Sequence, residues 1–291
     1  MIKVLVICNP FAGGGTSSQA LALYRSFAEN LTSHSFSFYN TEGPGDYDGI
    51  NLAVEAFQPN VVSVVGGDGT INEVLNVESC RLCDIHLVPA GSGNDFHRLV
   101  YGNINCKQSI EQVCATGRTA YDIGICNDRY FLNGVGIGFD GNVARETMRM
   151  KLPFISSKWK YWVAIFKNIF LYRSIDVSIE IEGKTENQRM FMIAIANGTD
   201  YGGGFRISPE SDAKDGLLDI VKVEALSPIK RLFNIPKVQA GRHLSESFVS
   251  HRRIKQVVVK SKEIIHAHLD GEQMSGKQFS IEIKPAIPFV V

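Results

Sequence analysis

Three glycine-rich stretches in the first third of the chain combine bare backbone with carboxylates. They read NPFAGGGT (residues 9–16), GGDGT (66–70) and PAGSGND (89–95). A glycine lets a backbone N–H group come close to a phosphate oxygen, and a helix that starts after such a loop adds a favourable dipole. Asp68 and Asp95 would repel a bare phosphate, so this chemistry needs a divalent cation, Mg²⁺, to bridge them. The three stretches together predict a site for a magnesium-bound nucleotide.

Each stretch alone has a simpler interpretation as a tight turn between a strand and a helix. The AGGG run at residues 12–15 is weak as a motif, and it is not a Walker A loop because no Gly-Lys-Ser/Thr follows it. In an open parallel sheet, however, the loops after successive strands lie at the carboxyl edge, where ligands bind. Three such loops in register favour the nucleotide site over ordinary turns.

The elements that would position these loops follow from the hydrophobic pattern. Before Asp122, strand-like runs alternate with helix-like runs, which is typical of a parallel α/β sheet. The predicted strands are 3–8, 35–40, 61–65 and 85–90, and the predicted helices are 18–31 and 50–57, with a further helix starting at Ile71.

After Asp122 the pattern changes to short strand-like runs separated by turn signals. These runs are 130–139, 176–183, 189–198, 217–225, 256–261, 264–270 and 279–285. They predict an antiparallel β-sandwich, with a barrel as the alternative. We therefore expect an α/β nucleotide-binding domain with a parallel sheet at residues 1–124 and a β-rich domain at 125–283. The sequence leaves open whether residues 284–291 return to complete the first domain.

The composition argues against several functional classes. Lys and Arg (30) balance Asp and Glu (30), so no overall positive field recruits nucleic acid. No run reaches the ~18 uncharged apolar residues of a membrane span, and the N-terminus lacks a signal-peptide pattern, which favours the cytoplasm or the inner face of the membrane. We expect the six cysteines to be reduced thiols rather than a disulfide framework. Cys80, Cys83 and His86 are spaced like metal ligands, but a zinc site would need a fourth ligand that the sequence does not supply.

The motifs GGDGTINEV and PAGSGNDFHR resemble the diacylglycerol kinase catalytic domain. The whole chain resembles bacterial lipid kinases of that superfamily, because the match continues in order through YDIG (121–124), FLNGVGIGFDGNV (131–143), NGTDYGGGFRISPESDAKDGLLDI (197–220) and LDGE (269–272). GGDGT alone is shared with NAD kinases and loosely with phosphofructokinases. The later motifs are far more selective.

The resemblance implies a role for each matching position. Asp68, Asp95 and Asp122 would form the carboxylate and water network around the catalytic Mg²⁺, and Glu272 would be the general base. A second, structural Mg²⁺ would bind at Asp215, with Asp212 or nearby carbonyls such as that of Leu217. The residues that would contact ATP are Asn9, Pro10, Ala12, Gly13, Thr41, Gly66, Gly67, Asp68, Gly69, Thr70, Glu73, Ser92 and Asn94.

Gly93 and Glu272 need separate comment. Gly93 stands where bacterial relatives commonly have Thr, although it suits the same turn. Without the resemblance, Glu272 would read as a solvated acid in a turn between two strands. An alcohol needs a positioned base or a metal before it can attack phosphorus, so the role of Glu272 is physically sensible. His266 and His268 alternate on one predicted strand, and the sequence assigns them no role.

Residues 145–173 differ from the strands around them. They contain both tryptophans, Trp159 and Trp162, and seven Lys or Arg residues against one acid, Glu146. Apolar residues recur there at helical spacing, and a basic, aromatic, amphipathic helix is typical of a segment that lies on an anionic membrane. We expect peripheral membrane contact through residues 148–172, with a core helix as the alternative. In the β-rich half, this is the only insertion that looks unlike a strand.

The sequence thus predicts an ATP- and Mg²⁺-dependent lipid kinase that phosphorylates a hydroxyl group of a diacylglycerol-like lipid. A soluble-metabolite kinase of the NAD kinase type is one alternative, and a non-catalytic lipid-binding regulator is another. Diacylglycerol, phosphatidylglycerol, a sphingoid base or an undecaprenol-like alcohol would each suit as the acceptor. The sequence does not decide between these lipids, and it does not reveal an oligomeric state.

Overall fold

The computed structural model describes residues 1–150, 157–200 and 205–291. The strands are β1 (Ile2–Cys8), β2 (His34–Asn40), β3 (Val61–Gly66), β4 (Asp84–Pro89), β5 (Arg118–Cys126), β6 (Arg129–Phe131), β7 (Gly134–Gly138), β8 (Ile175–Ile181), β9 (Lys184–Ala196), β10 (Leu218–Glu224), β11 (Val249–Ile254), β12 (Gln256–Leu269) and β13 (Glu272–Val290). The helices are α1 (Thr16–Glu29), α2 (Tyr47–Phe57), α3 (Asp68–Leu75), α4 (Glu78–Arg81), α5 (Asp95–Tyr101), α6 (Cys106–Glu111), α7 (Phe139–Arg149), α8 (Ser157–Leu171) and α9 (Pro228–Gln239).

The chain divides into two compact units. The first comprises Met1–Tyr121 together with Ala286–Val291, and the second comprises Asp122–Pro285. The last residues of β13 therefore belong to the first unit, where Phe289 pairs in parallel with Ile85 of β4.

The first unit contains a sheet in the order β2, β1, β3, β4, and each of these neighbouring pairs is parallel. Val4 and Val6 of β1 pack with Leu21 and Tyr24 of α1 in one core cluster. Ile7, which lies between Val6 and Cys8 of this cluster, is also fully buried. Successive side chains of a strand point to opposite faces, so both faces of β1 are covered. This explains why the buried strands read as continuous apolar runs.

Because the sheet is parallel, the segments that leave β1, β3 and β4 start from the same edge. The register aligns Cys8 with Val65 and Gly66 with Pro89, so the three strands end level with one another. A short 3₁₀ turn at Ala12–Gly15 leads from β1 into α1, while α3 and α5 follow β3 and β4. The glycine-rich stretches are these connections.

The second unit is built from antiparallel strands. Its sheet runs in the order β11, β10, β9, β7, β12, β13, while β8 pairs with both β9 and β12. β9 is buried on both faces: Ile193 and Ile195 lie in one core cluster, and Ala194 and Ala196 lie in another. The first cluster is the core between strands, and the second is covered by helical segments.

Helices α7, α8 and α9 belong to the second unit. In α9, the Ser227 side chain accepts a hydrogen bond from the Lys230 N–H, and Pro228 occupies the first turn, as is usual at a helix N-terminus. The expectation that residues 145–173 are the only insertion unlike a strand is therefore wrong, since Pro228–Gln239 is a second helical insertion. The Ser-Pro pair was the sequence signal that could have revealed it.

Helix α8 carries most of the segment that we expect to contact a membrane. Residues 151–156 of the predicted segment 148–172 lie outside the described part of the chain. Within the described ranges, no helix combines the length and the apolar character needed to cross a membrane.

Candidate functional site

Two of the glycine-rich bends touch backbone to backbone in the first unit. A Cβ atom added to Gly67 would lie 2.8 Å from the Cα of Gly91, and one added to Gly91 would lie 2.3 Å from the Cα of Gly67. Real Cβ atoms do not approach main-chain carbons this closely, so neither position accepts a side chain without movement of the backbone. The bends after β3 and β4 are therefore packed against each other.

The bend after β1 is joined to the same group. The Thr16 hydroxyl donates to the Ala90 carbonyl at 2.8 Å and lies 3.1 Å from the Gly13 carbonyl. Gly13 has a φ of +59°, and a Cβ there would lie 2.2 Å from the Ala90 carbonyl oxygen. Only glycine adopts this conformation readily and leaves room for the contact. Thr16 was not singled out in the sequence, although it holds the first bend beside the third.

Asp68, in the second bend, is held by the residues of the third bend. Its Oδ2 accepts a hydrogen bond from the Asp95 N–H and its Oδ1 accepts one from the Phe96 N–H, each at 3.0 Å. These N–H groups begin α5, where the helix has no intrahelical partner for them. A Cβ on Gly93 would lie 2.9 Å from Oδ2 of Asp68, so the absence of a side chain at Gly93 gives the carboxylate its room.

Asp95 and Asn94 have partners of their own. The Asp95 carboxylate forms an ion pair with Arg98 of the same helix. The Asn94 side chain accepts from the Gly91 N–H at 2.9 Å and donates to the Gly91 carbonyl at 3.0 Å, while its backbone has a left-handed φ of 57°. Asn94 thus closes the third bend on itself, so its predicted contact with ATP remains a prediction beside a clear structural role.

The other residues expected to contact ATP lie on the same edge of the first unit. Asn9 Oδ1 accepts from the Phe11 N–H at 3.0 Å, and Ser92 is exposed. Glu73 is buried on α3 and accepts from the Gly45 N–H at 3.0 Å. Thr41 is 2% exposed, and its hydroxyl has no hydrogen-bond partner among the described residues. A buried hydroxyl without a partner is uncommon and fits a position that a ligand completes.

This arrangement fits a magnesium-bound nucleotide. Gly69 follows Asp68 in the chain, and a Cβ added to it would meet no atom within 4 Å beyond its chain neighbours and its own helix backbone, so the space at this position is open. Carboxylate oxygens are the ligands that Mg²⁺ prefers, and the exposed N–H groups of glycine-rich bends suit phosphate oxygens. The donors present therefore suit both parts of the group that the sequence predicts.

Asp122 belongs to the second unit, where it is joined to the turn that contains Asp212 and Asp215. Its N–H donates to the Ala213 carbonyl at 2.7 Å, and its Oδ2 accepts from the Gly216 N–H at 2.7 Å. Burial raises the pKa of Asp122, and the carboxylates of Asp215 and Asp212 raise it further, while the Gly216 hydrogen bond opposes them. The structure thus collects three carboxylates at this turn.

The turn gives partial support for a cation. Asp215 accepts from the Leu217 N–H at 2.9 Å, and Asp212 accepts from the Lys214 N–H at 3.1 Å. Among residues 1–150, 157–200 and 205–291, no three His, Cys, Asp or Glu side chains are arranged to hold a metal by themselves. A cation at this turn would therefore need main-chain oxygens as well, as the predicted ligand Leu217 would supply. The grouping of Asp122 with Asp68 and Asp95 remains a prediction.

Glu272 follows a tight turn between β12 and β13. Asp270 and Gly271 both have positive φ, at 48° and 89°, as a two-residue type I′ hairpin turn requires. The Glu272 carboxylate forms an ion pair with Arg129 and is about one-third exposed, at 35%. Arg129 is a partner that the sequence analysis missed.

Asp270 anchors this turn to the rest of the second unit. Its carboxylate accepts from the N–H groups of Leu132, Asn133 and Gly134 at 2.7, 2.9 and 2.9 Å. Three hydrogen bonds to one carboxylate fix the position of the residue. The Asp of the LDGE motif is therefore a structural anchor for Glu272.

An apolar cavity lies in the second unit between β9, β10 and the helices. It holds about 750 Å³ of empty space, part of which is open to solvent. Its walls come from Ile165 and Ile169 of α8, Ile235 and Val238 of α9, and Phe191 of β9. Its apolar lining suits part of an acyl chain or another apolar group.

Among the described residues, the outer face of α8 is apolar and largely exposed. Trp159, Val163, Phe166 and Phe170 are 68%, 45%, 48% and 55% exposed, while Ile165 and Ile169 on the other face are buried. Lys167 on this helix is half-exposed and pairs with Glu146. One face of α8 therefore packs on the core and the other faces outward, while membrane contact through this segment remains a prediction.

The Cys80, Cys83 and His86 group does not form a metal site. His86 is fully buried, its Nδ1 hydrogen-bonds the Ser63 hydroxyl at 2.7 Å, and its Nε2 hydrogen-bonds the Ser109 carbonyl at 2.8 Å. Both ring nitrogens are used, and Cys80 and Cys83 are free buried thiols.

Two protein-family models match this chain. The diacylglycerol kinase catalytic domain matches residues 3–126, and the YegS C-terminal NAD kinase beta sandwich-like domain matches residues 133–291. The N-terminal part is therefore similar to a catalytic domain, and the C-terminal part is similar to a β-sandwich domain.

Individual proteins match over most of their length. A diacylglycerol kinase of Mycobacterium tuberculosis is 28% identical over 280 residues, covering 93% of this chain and 88% of the relative. A diacylglycerol kinase of Staphylococcus saprophyticus is 26% identical over 240 residues, covering 81% and 78%. The crystal structure of a diacylglycerol kinase from Bacillus anthracis has a TM-score of 0.69 at 20% identity, covering 99% of this chain and 96% of that chain, and shows a likeness of fold.

Proposed function

We propose an ATP- and Mg²⁺-dependent reaction for this chain, which belongs to the diacylglycerol kinase family of lipid kinases. The γ-phosphoryl group of ATP passes to the hydroxyl group of a diacylglycerol-like lipid, and the product is of the phosphatidic acid type. The relatives from Mycobacterium and Staphylococcus are named for diacylglycerol, which is the basis for this choice of acceptor.

One observation carries the proposal for the nucleotide. The bends after β1, β3 and β4 meet through Gly67, Gly91 and the Thr16–Ala90 hydrogen bond, and Asp68 is held by hydrogen bonds from the residues that follow the third bend. Phosphoryl transfer depends mainly on alignment and on neutralised charge. Glycine N–H groups and a Mg²⁺ ion bound at a fixed carboxylate would supply both, without covalent chemistry by the protein.

The reaction assigns a separate task to each group. When bound with ATP, Mg²⁺ would neutralise the phosphate charge and withdraw electrons from the phosphorus. Glu272 takes the proton of the lipid hydroxyl as its oxygen bonds to the γ-phosphorus, and the bond from that phosphorus to the bridging oxygen breaks to release ADP. Asp68 and Asp95, with Asp122 as the resemblance implies, would hold the catalytic cation, while Asp215, with Asp212 or the carbonyl of Leu217, would hold a second, structural cation.

The second unit supplies the features that a lipid needs. Its apolar cavity receives an acyl chain, and the exposed face of α8 rests on the membrane surface within the predicted segment 148–172. Trp159, Phe166 and Phe170 would enter the interface between headgroups and acyl chains, and Lys160 and Lys167 would meet anionic headgroups.

A labelled-phosphate assay tests the proposal. The protein is incubated with γ-labelled ATP, Mg²⁺ and a panel of lipids in mixed micelles: diacylglycerol, phosphatidylglycerol, a sphingoid base and undecaprenol. We expect label in the diacylglycerol product and its loss in Asp68→Ala. Label in none of the four lipids would contradict the proposal. Binding of ATP without transfer would instead favour a non-catalytic lipid-binding role, and transfer to a soluble metabolite would favour a kinase of the NAD kinase type.

A further inference from the structure

His268 and Asp140 form a buried pair directly behind the turn that presents Glu272. His268 Nε2 lies 2.8 Å from Asp140 Oδ2, and the two side chains are 4% and 10% exposed. On its other side, His268 Nδ1 accepts a hydrogen bond from the Gly271 N–H at 3.3 Å. One imidazole therefore joins the first turn of α7 to the residue immediately before Glu272.

The surroundings are built to hold this ring. Gly136 pairs with His268 across the strands, and a Cβ on Gly136 would lie 2.4 Å from His268 Nε2 and 2.5 Å from Asp140 Oδ2. A Cβ on Gly141 would lie 2.3 Å from the Ala267 Cα, so a glycine is also needed where α7 meets β12. Both glycines serve the close approach of helix, strand and imidazole.

The hydrogen bonds define the protonation of the ring. A neutral imidazole with its proton on Nε2 donates to Asp140 and accepts from the Gly271 N–H at the same time. Asp140 lies in the first turn of α7, where the helix dipole favours its negative charge. Burial alone would lower the pKa of His268, but Asp140 and Asp270 outweigh it and raise the pKa above its ordinary value. Asp140 thus holds the ring through Nε2, while the contact of Nδ1 with the Gly271 N–H belongs to the neutral form of the ring, because a protonated Nδ1 cannot accept.

We propose that His268 is a positioning residue, whose imidazole, oriented by Asp140, fixes the turn at Gly271 and so the position from which Glu272 acts. This inference rests on the proposed function, because it takes Glu272 as the general base. Asp270 anchors the same turn to residues 132–134 from one side, and His268 anchors it from the other. A base displaced by about 1 Å can lose about a hundredfold in rate.

Two amide substitutions separate the contacts of the ring. In His268→Asn, the side-chain oxygen lies near the place of Nδ1 and can still accept from the Gly271 N–H, but the amide does not reach Asp140. In His268→Gln, the amide reaches Asp140 and leaves the Gly271 N–H without its acceptor. His266→Asn is the matched control, because His266 lies on the same strand and hydrogen-bonds Arg145 and Ser275 instead.

The readouts are kcat, the KM for ATP and the thermal midpoint of each variant. We expect kcat to fall about tenfold or more in His268→Gln and clearly less in His268→Asn, with the KM for ATP unchanged, since ATP binds in the first unit. His266→Asn should keep the wild-type kcat. Equal kcat in wild type and His268→Gln, or a lower kcat in Asn than in Gln, would overturn the proposal.

Hydrogen exchange separates this inference from the proposed function. The peptide that spans residues 269–274 should exchange faster in His268→Gln than in wild type and His266→Asn, whether or not the protein phosphorylates a lipid. If wild type transfers no phosphate, the proposed function fails, while the exchange result still tests the anchor. If exchange at this peptide is the same in all three proteins, the anchor itself is refuted.

Discussion

A single methyl group at Gly69 should separate stability from nucleotide binding. Gly69 is the second residue of α3, its φ is outside the left-handed region, and an added Cβ meets no atom within 4 Å. Alanine in place of a helical glycine lowers the conformational entropy of the unfolded chain. Gly69→Ala should therefore raise the free energy of unfolding by about 0.5 kcal/mol.

The same methyl group should weaken ATP binding. Gly69 belongs to the glycine-rich bend that the nucleotide phosphates would approach, and a Cβ there would occupy part of the open space at this position. We expect the Kd for Mg²⁺-bound ATP to rise at least about tenfold, which corresponds to about 1.4 kcal/mol of lost binding free energy. Stability and affinity thus change in opposite directions.

Two other glycines provide the contrast. Gly67→Ala places its Cβ 2.8 Å from the Gly91 Cα and should cost about 1–3 kcal/mol of stability through overpacking. Gly276→Ala in β13 meets ordinary contacts, the nearest atom being 3.5 Å away, and should change neither ATP affinity nor stability strongly.

Urea unfolding and titration calorimetry with a non-hydrolysable ATP analogue measure both quantities. If Gly69→Ala binds the analogue as tightly as wild type does, the nucleotide does not occupy the space at Gly69. If Gly69→Ala binds the analogue more weakly but is also less stable than wild type, the reasoning is refuted as well.

Further predictions concern acid stability, membrane binding and the second cation. Burial lowers the pKa of His86 and of His97 from 6.5 to about 4. Each histidine therefore contributes about 3 kcal/mol of stability above pH 6.5, and this contribution is lost as the pH falls toward 4. The stability of His86→Gln, measured by urea unfolding, should depend less on pH than that of wild type, and an unchanged pH dependence would contradict this. Phe166→Ser should reduce flotation with anionic vesicles about tenfold, whereas Leu23→Ser, at an exposed leucine of α1, should not. Equal losses of flotation in the two variants would refute α8 as the membrane-binding surface. Asp215→Asn should remove the rise in thermal midpoint that Mg²⁺ alone produces, and a retained rise would exclude this turn as the site.

The sequence predicted the strands that end in the glycine-rich bends because their burial leaves a strong signal. β3 and β4 are buried on both faces and read as apolar runs, and α1 shows helical spacing. Charge and glycine at the strand ends then indicated Asp68 as a site residue. The contact between Gly67 and Gly91 could not be predicted, since it depends on the register of two strands that are about twenty residues apart.

Other elements were missed for physical reasons. β13 runs from Glu272 to Val290, whereas the pattern indicated a strand only at 279–285. Residues 272–278 are mostly polar and contain Gly276, and Pro288 beyond the predicted end lacks the N–H group that a strand normally uses. α2 begins at Tyr47 rather than at residue 50, since Gly49 weakens the helical pattern there. The anchors of the Glu272 turn, Asp270 and His268, act through long-range hydrogen bonds that leave no local pattern.

The most direct test of the account is a single-turnover measurement of phosphate transfer from γ-labelled ATP to diacylglycerol in mixed micelles. Wild type and Glu272→Gln are compared at ATP concentrations that saturate both, so that binding is equal and only the chemical step differs. We predict labelled phosphatidic acid from wild type and a rate about a hundredfold to ten-thousandfold lower from the variant. Equal rates from the two proteins, or label only in inorganic phosphate, would contradict the account.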